Sequence, residues 1–341
     1  MRLVHLVPSA DLGGTERVSE MLDELASRHG HDSSVDLPFD RSLPAPRSLP
    51  LHRWLRWSMR RRDADVFHAH LAWPDRLGAA LLAARGRPLV VTFHLLPRED
   101  AAWPRDRVTG LDARSMIRLA AVRAHAVWVA LSHHDAARLG ELGLRARVIR
   151  NAPPPPRPAT RPFDWPDGAL ALASVGRLDP QKGFDRMLRA LSHPTLAERP
   201  WHWAIAGDGP ALTELTALRD ALGLRDRVSF AGVRAPMDVF SGAPWVLSPS
   251  RSEGMPLVAL EAMEAGVPVL ASDIGAHREL FSAAPGSLLP ADEARWTDAL
   301  GVLFDEGARD ALGRAQRAVL GDDPREGYWQ ETRLCYDAAR T

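Results

Sequence analysis

The chain has 341 residues, of which 45% are hydrophobic and 25% are charged. This composition is typical of globular proteins, and the length favours two domains over one. A single cysteine excludes a disulfide framework and a cysteine zinc site, and no apolar run approaches the roughly 20 residues that span a bilayer. We therefore expect a cytoplasmic protein without a signal peptide.

The net charge is zero, but the charges are unevenly distributed along the chain. Residues 1–150 carry 23 arginines against 17 acidic residues, whereas residues 151–341 carry 20 basic residues against 26 acidic ones. The positive balance of the first part favours an anionic surface or an anionic acceptor there. Lys182 is the only lysine of the chain, which favours a position that needs a compact charge, although chance would also explain it.

Glycine and polar residues follow predicted strands in the first 150 residues. Gly13 and Gly14 come after the first strand and before an amphipathic helix, as in the opening turn of a doubly wound sheet. His94 directly follows the apolar strand at 88–93. Ligands of open α/β sheets bind at the carboxyl ends of the strands, so these residues are placed to contact one. The predicted strands lie at 2–7, 65–70, 88–93, 126–132 and 147–150.

Residues 51–62 form a basic amphipathic segment that contains Trp54, Trp57 and five arginines. Such a segment suits an anionic membrane interface, which predicts peripheral contact with the inner face of a membrane. It equally suits a surface helix whose tryptophans pack on the sheet, and the pattern leaves both interpretations open.

Asp63 and Asp65 form an Asp-x-Asp pair, which holds a metal ion in some transferases. Here the pair lies at the start of a predicted strand, at the end of a parallel sheet where ligands do not bind. We therefore expect a structural role for both residues and predict no metal site.

The strand and helix pattern stops at a proline-dense segment and then begins again. We predict an N-terminal domain at 1–150 and a stiff linker at 151–168. A C-terminal domain follows at 169–323, and an amphipathic helix at 324–341 is expected to cross back to the first domain. The predicted strands of the second domain lie at 169–175, 202–206, 228–231, 245–247 and 267–271.

The segment 250–273 combines a loop, a helix and a strand. Pro256 is predicted to be the first helical residue, where a proline loses no hydrogen bond. The start of such a helix is a site for an anion such as a phosphate. Glu253 precedes the helix and Glu261 follows two turns later; a carboxylate can accept hydrogen bonds from two hydroxyls of a sugar or ribose. Taken alone, the segment is also compatible with a buried helix and a satisfied glutamate.

Five sequence blocks together resemble the retaining glycosyltransferases of family 4. The blocks are Gly-Gly-Thr-Glu at 13–16, Thr-Phe-His at 92–94, Gly-Arg-Leu-Asp-Pro-Gln-Lys-Gly at 176–183, Gly-Asp-Gly-Pro at 207–210, and 253–266 with its two glutamates. The resemblance implies the GT-B fold, an α/β architecture in which two Rossmann-like domains face each other across a cleft. It also implies that the C-terminal domain binds a nucleotide-diphosphate sugar and that the N-terminal domain binds the acceptor.

The resemblance implies roles for individual residues as well. Arg177 and Lys182 would hold the donor diphosphate, and Glu253 would contact the transferred sugar. His94 would complete this catalytic set by binding a sugar hydroxyl, and Glu261 would bind the ribose diol. Further donor-binding positions would be Gly14, Gly207, Val233, Gly254, Met255, Pro256 and Leu257, and the acceptor-binding positions would be Gly13 and Glu16.

The expected reaction is metal-independent transfer of a sugar, with retention, from a nucleotide-diphosphate sugar, UDP-sugar being favoured. The acceptor would be a hydroxyl of a glycan, a lipid-linked glycan or a secondary metabolite, with no further cofactor and no nucleic-acid partner. The alternative is a catalytically inactive subunit that binds the nucleotide sugar without turnover. A dehydrogenase is not favoured, because the third glycine of a cofactor fingerprint that begins at Gly207 falls at Leu212.

Overall fold

The structure is a computed structural model that describes residues 1–7, 14–36, 63–71, 86–94, 96 and 126–341. The chain divides into two compact units, each built on one parallel sheet. Among the described residues, the first unit contains those before residue 155 together with Asp323–Thr341, and the second contains Pro155–Asp322. No helix of the described part is both long and apolar enough to cross a membrane.

The first sheet has six strands among the described residues, in the order β2-β1-β3-β4-β5-β6. These strands are β1 (Arg2–Leu6), β2 (Asp32–Asp36), β3 (Val66–Leu71), β4 (Leu89–Phe93), β5 (Ala126–Ala130) and β6 (Ala146–Val148). Helix α1 (Gly14–Arg28) follows β1, and helix α2 (His133–Glu141) follows β5. Parallel strands buried on both faces need continuous apolar runs, which β4 provides with five buried residues.

The second sheet has the order β11-β10-β7-β8-β9 in the described chain. Its strands are β7 (Leu170–Val175), β8 (Trp201–Ala206), β9 (Val228–Gly232), β10 (Trp245–Ser248) and β11 (Val269–Ala271). Its helices are α3 (Phe184–Leu191), α4 (Pro194–Ala197), α5 (Leu212–Ala221), α6 (Pro236–Phe240), α7 (Leu257–Glu264), α8 (Gly275–Leu280), α9 (Trp296–Ala299) and α10 (Glu306–Val319). The two parallel-sheet, Rossmann-like domains confirm the predicted fold class.

Tryptophan side chains fill much of the core of the second unit. Trp203, Trp245 and Trp296 are fully buried. Each indole N–H has an acceptor: Trp203 donates to the Ser174 hydroxyl, and Trp245 donates to the Leu303 carbonyl. Trp296 donates to the Pro290 carbonyl at 2.7 Å. Satisfied N–H groups let these large side chains contribute their apolar area without an unpaired donor.

The last helix, α11 (Pro324–Arg340), belongs to the first unit. Trp329 and Tyr336 of this helix are fully buried. The Tyr336 hydroxyl lies 2.9 Å from Nδ1 of His68 in β3, and the Trp329 ring stacks on His29 with 5.3 Å between centroids. The helix therefore covers a face of the first sheet, although 168 residues of the second unit separate it from Pro154 in sequence.

Candidate active site

The loops after β7, β8 and β10 meet at the carboxyl edge of the second sheet. The Leu178 N–H donates to the Asp208 carbonyl at 2.9 Å and ties the first two loops together. The Arg251 N–H donates to the Gln181 carbonyl at 2.7 Å and ties the third loop to the first. Residues distant in sequence are thereby held together at the edge where ligands of parallel sheets bind.

Two glycines allow these loops to approach so closely. Gly183 has a φ of 65°, and a Cβ atom there would lie 2.1 Å from the carbonyl oxygen of Pro249. Gly207 has a φ of 148°, and a Cβ atom there would lie 1.9 Å from the carbonyl oxygen of Gly176. Only glycine fits at either place without movement of the backbone. Gly207 is predicted to bind the donor, but the packing of these loops by itself also explains why a glycine stands there.

Lys182 and Glu253 form an ion pair at this edge. Nζ of Lys182 lies 2.7 Å from Oε1 of Glu253, and the Ser250 hydroxyl donates to the same oxygen at 2.6 Å. The Glu253 side chain is 9% exposed and the Lys182 side chain is 23% exposed. Burial alone would raise the pKa of Glu253, but the Lys182 charge and the hydrogen bonds from Lys182 and Ser250 outweigh burial and lower the pKa. Glu253 is therefore a carboxylate at neutral pH.

Arg177 lies in the same loop as Lys182, but its side chain is 65% exposed. Its Nε atom is 4.0 Å from Oδ2 of Asp179, the limit of an ion pair. The Asp179 side chain also accepts from the Gln181 N–H at 3.1 Å and so shapes the turn that carries Lys182. The structure thus fixes Lys182 firmly and leaves the Arg177 guanidinium accessible to a ligand.

Helix α7 begins directly after Glu253 and its turn. Gly254, Met255 and Pro256 are buried. Pro256 was predicted to be the first helical residue. In the structure it is instead the residue before the helix, because its backbone is extended, with a ψ of 105°. The first turn of a helix leaves N–H groups without intrahelical partners, at the positive end of the dipole. This helix end therefore offers hydrogen-bond donors close to Glu253.

The helix ends at Gly266 as predicted, but the strand after it begins later than predicted. Gly266 has a φ of 75° and ends the helix, and the Val267 N–H donates back to the Ala262 carbonyl at 2.8 Å. This bond closes the helix end in the manner of a Schellman motif. The strand predicted at 267–271 therefore begins only at Val269.

Two predicted donor-binding residues, Leu257 and Glu261, lie within α7, and each is 9% exposed.

Sequence reasoning missed two contacts, one in the loop after β10 and one in the loop after β11. Arg251 binds Asp185 of α3 through two parallel bonds, at 2.6 and 2.7 Å. Buried His277 lies 2.8 Å, through Nδ1, from the carbonyl oxygen of Ser272. Neither contact has a signal in the local sequence. Arg251 and Asp185 lie far apart in the chain, and Ser272 and His277 lie on opposite sides of the turn between β11 and α8.

Val233, predicted to be a donor-binding position, follows β9 and is 65% exposed. Its carbonyl accepts a hydrogen bond from Nη2 of Arg161 at 3.1 Å. Gly232 before it has a φ of 68°, which turns the chain at the end of the strand. The side chain is therefore available at the same carboxyl edge as Lys182.

In the first unit, His94 directly follows β4 and is half-buried. Its Nε2 atom lies 3.1 Å from Nδ1 of His70, and burial lowers its pKa to about 4. Gly14 is the exposed first residue of α1, and Glu16 lies in the first turn of that helix. Gly13 lies outside the described residues. Sequence reasoning placed His70 in a strand but did not anticipate its contact with His94.

Two further predictions concern residues between β2 and β3. Residues 51–62, with Trp54 and Trp57, lie outside the described part of the chain. Asp63 pairs with the Arg2 side chain, and Asp65 accepts from the Arg2 N–H at 2.8 Å. Both carboxylates therefore bind Arg2 at the amino end of the first sheet.

Comparison with known proteins gives two matching families. The family described as "Glycosyl transferases group 1" matches residues 159–331, and the one described as "Glycosyltransferase Family 4" matches residues 12–155. A D-inositol 3-phosphate glycosyltransferase from Acidothermus cellulolyticus is 32% identical over 73% of this chain and 62% of its own length. D-inositol 3-phosphate glycosyltransferase 1 from Catenulispora acidiphila is 30% identical over 74% of this chain and 67% of its own length. The chain thus spans about two thirds or less of these relatives.

Solved structures agree on the fold. Sucrose-phosphate synthase from Thermosynechococcus elongatus superimposes with a TM-score of 0.80 at 19% identity, over 99% of this chain and 98% of that one. Anabaena HepE, in complex with UDP and glucose, gives a TM-score of 0.74 at 18% identity, over 99% of this chain and all of that one. The fold is the one found in GT-B glycosyltransferases. The chain belongs to family 4 of these enzymes, the group 1 glycosyltransferases.

Proposed function

We propose that the chain transfers a sugar from a UDP-sugar to a hydroxyl group, with retention of the anomeric configuration and without a metal ion. The observation that carries the proposal is the Lys182–Glu253 pair beside the first turn of α7. Departure of UDP builds negative charge on phosphate oxygens, and fixed donors in a partly buried site stabilise that charge. Lys182, Arg177 and the helix end can supply this stabilisation together.

The ion pair leaves Lys182 able to bind phosphate. An ammonium group carries three N–H donors, and the contact with Glu253 uses one of them. The others remain for the diphosphate, while Glu253 keeps the long side chain in place before the donor arrives. We assign the second cation to Arg177 and the backbone donors to Gly254, Met255 and Leu257.

The other assigned roles follow their places in the two units. Glu261 would bind the ribose, Val233 would face the base, and Gly207 would let backbone approach the donor. In the first unit, His94 would bind a sugar hydroxyl and Gly14 a phosphate oxygen. Pro256 would set the start of α7, and Gly13 and Glu16 would contact the acceptor.

The choice of UDP and of the acceptor is supported by the relatives. HepE from Anabaena has been solved with UDP and with UDP-glucose, and the relatives at 30–32% identity are D-inositol 3-phosphate glycosyltransferases. The positive balance of residues 1–150 favours an acceptor that carries a negative charge. We therefore propose an anionic hydroxyl compound, with inositol 3-phosphate as the first to test and a lipid-linked glycan as the second.

Calorimetric titration tests the donor half of the proposal. The full chain is titrated with UDP, GDP and ADP, first without added metal and then with EDTA. We expect UDP to bind, EDTA to change nothing, and Lys182→Ala to weaken binding at least a hundredfold. The control is Arg189→Ala, which removes an exposed arginine of α3, the helix that follows Lys182. This variant should bind UDP as the wild type does. Loss of binding in EDTA would overturn metal independence.

Product analysis tests the transfer itself. UDP release is followed with UDP-glucose and either inositol 3-phosphate or inositol, and the product is isolated for NMR of its anomeric proton. We expect release with the phosphorylated acceptor and an α-configured product from the α-configured donor. Tight UDP binding without turnover on any acceptor would favour the inactive subunit, and a β-configured product would contradict retention.

A further inference from the structure

Histidines form a buried cluster on one face of the first sheet. Strands β1 and β3 are parallel with His5 opposite His68, and His70 lies two residues further on the same face. All three side chains are at most 1% exposed. His94 follows the neighbouring strand β4, and Tyr336 of α11 covers the cluster. The proposed function uses only His94, so the buried histidines need an explanation of their own.

Three of the rings are joined in a chain. His5 Nδ1 lies 3.1 Å from His70 Nε2, and His70 Nδ1 lies 3.1 Å from His94 Nε2. Burial lowers the pKa of His5 to about 3 and of His94 to about 4, and the pKa of His70 lies well below its usual value for the same reason. Each ring is therefore neutral at pH 7 and carries one N–H and one bare nitrogen.

Only two proton arrangements satisfy both hydrogen bonds. If His70 carries its proton on Nδ1, it donates to His94 and must accept from His5. If His70 carries its proton on Nε2, it donates to His5 and must accept from His94. The tautomers of the three rings are thus coupled, and the state of His5 at one end is linked to the state of His94 at the other.

The far end of the chain decides between the two. His5 Nε2 is buried and has no hydrogen-bond partner among the described residues. In the second arrangement this atom would be a buried N–H without an acceptor, and among backbone groups such orphaned donors are rarer than under-satisfied acceptors. In the first arrangement it is an unshared acceptor, which structures tolerate more often. The first arrangement places the His94 proton on Nδ1.

His68 stands outside the chain. Its Nδ1 lies 2.9 Å from the Tyr336 hydroxyl and its Nε2 lies 2.8 Å from the Thr92 hydroxyl. A hydroxyl can donate or accept, so these partners satisfy either tautomer of His68 and impose no direction on the chain.

His5, His68 and His70 also lie close enough together to be considered as metal ligands, with one nitrogen of each within 4.8 Å of the others. A metal ion there would have to displace at least two of the bonds just described, because both nitrogens of His68 and of His70 are engaged. The ring centroids of His68 and His70 lie 4.0 Å apart, and the rings are tilted by 33° to each other. The geometry favours hydrogen bonding over metal ligation.

We propose that the chain from His5 through His70 fixes His94 as the Nδ1–H tautomer, so that His94 meets the sugar as a hydrogen-bond donor. His70 engages Nε2 of His94, so Nδ1 is the ring nitrogen left for a ligand. A protonated Nδ1 can hold a hydroxyl oxygen but cannot remove its proton. His5 and His70 are then positioning residues, and the role of His94 as a donor rests on the proposed function.

The tautomer is measured without any turnover. The full chain is labelled with ¹⁵N-histidine, and two-bond ¹H–¹⁵N correlations distinguish the protonated from the bare nitrogen of each ring at pH 7, with His94→Gln and His70→Asn used for assignment. We expect a protonated Nδ1 and a bare Nε2 in His94, in His70 and in His5. A protonated Nε2 in His94 would overturn the proposal, as would stoichiometric zinc bound to the purified protein.

Two substitutions at His70 test the consequence for the reaction. Asparagine retains an N–H near the position of Nδ1, whereas leucine retains only bulk. We expect His70→Leu to release the His94 tautomer and to lower kcat/KM about tenfold, mainly through kcat. His70→Asn should keep the Nδ1–H signal of His94 and stay within about threefold of the wild type.

The control is His68→Gln, an equally buried position on the same strand but outside the chain. It should leave both the His94 tautomer and kcat/KM unchanged. An equal loss in His68→Gln and His70→Leu would show that only packing is involved and would overturn the proposal. The expected tautomer without turnover on any acceptor would contradict the proposed function and leave the tautomer assignment intact.

Discussion

Lys182 and Glu253 depend on each other because each charge is largely removed from water. We predict that Lys182→Ala lowers the free energy of unfolding by about 2 kcal/mol, since it leaves a buried carboxylate without its cation. Adding Glu253→Gln should restore most of this stability but not nucleotide binding. Urea unfolding and calorimetric titration of the two variants separate the effects. Recovery of UDP binding in the double variant would contradict the assignment of Lys182 to the diphosphate.

The loop that contains Gly183 can approach Pro249 closely because glycine has a hydrogen atom where other residues have a Cβ atom. We predict that Gly183→Ala costs at least about 3 kcal/mol, because the left-handed backbone is strained and the methyl group would meet the Pro249 carbonyl. Gly223 is the matched control: its φ is 69°, but a Cβ atom there meets nothing within 4 Å. Gly223→Ala should cost only about 1–2 kcal/mol. Equal urea midpoints for the two variants would contradict the close approach of these loops.

At the scale of elements, the buried histidine face makes the first sheet sensitive to acid. Histidines of the unfolded chain bind protons below pH 6.5, whereas folded His94 and His5 do so only near pH 4 and pH 3. The unfolded state therefore binds more protons in this window. We predict that the free energy of unfolding falls as the pH falls from 6.5 toward 4, by about 1.4 kcal/mol per pH unit for each histidine.

Urea unfolding at a series of pH values checks this slope. His5→Asn should make the slope shallower, because it removes one of the buried histidines. His134→Gln changes an exposed histidine of α2 and should leave the slope as it is. A free energy of unfolding that stays constant between pH 6.5 and 4.5 would show that the buried rings are not kept neutral.

The elements also show what the sequence can and cannot predict. Strands such as β4 are continuous apolar runs and were predicted to within one residue. Strand β2 was missed because Asp32–Asp36 contains one apolar residue and lies at a sheet edge, where none of its residues is fully buried. Lys182 and Glu253 each stand in a recognisable block. Their contact depends on β7 lying beside β10, and that strand order leaves no trace in local spacing.

At the scale of the whole molecule, the two units differ in whether their elements come from one continuous part of the sequence. All five described strands of the second sheet, and the loops that carry Lys182 and Glu253, lie within one continuous segment, Pro155–Asp322. The first unit instead takes its last helix from the other end of the chain. Tyr336 of this helix contacts His68 of the buried histidine cluster, and Trp329 of the same helix stacks on His29.

We therefore predict that fragment 155–322 unfolds cooperatively by itself and binds UDP, whereas fragment 1–154 does not fold. The reason is that removal of α11 exposes an apolar and aromatic face and leaves His68 without the Tyr336 hydroxyl. The matched control joins 1–154 to 323–341 through a flexible glycine–serine linker, which should restore cooperative unfolding. Cooperative unfolding of 1–154 without α11, measured by circular dichroism in urea, would show that the helix is an accessory and not part of the core.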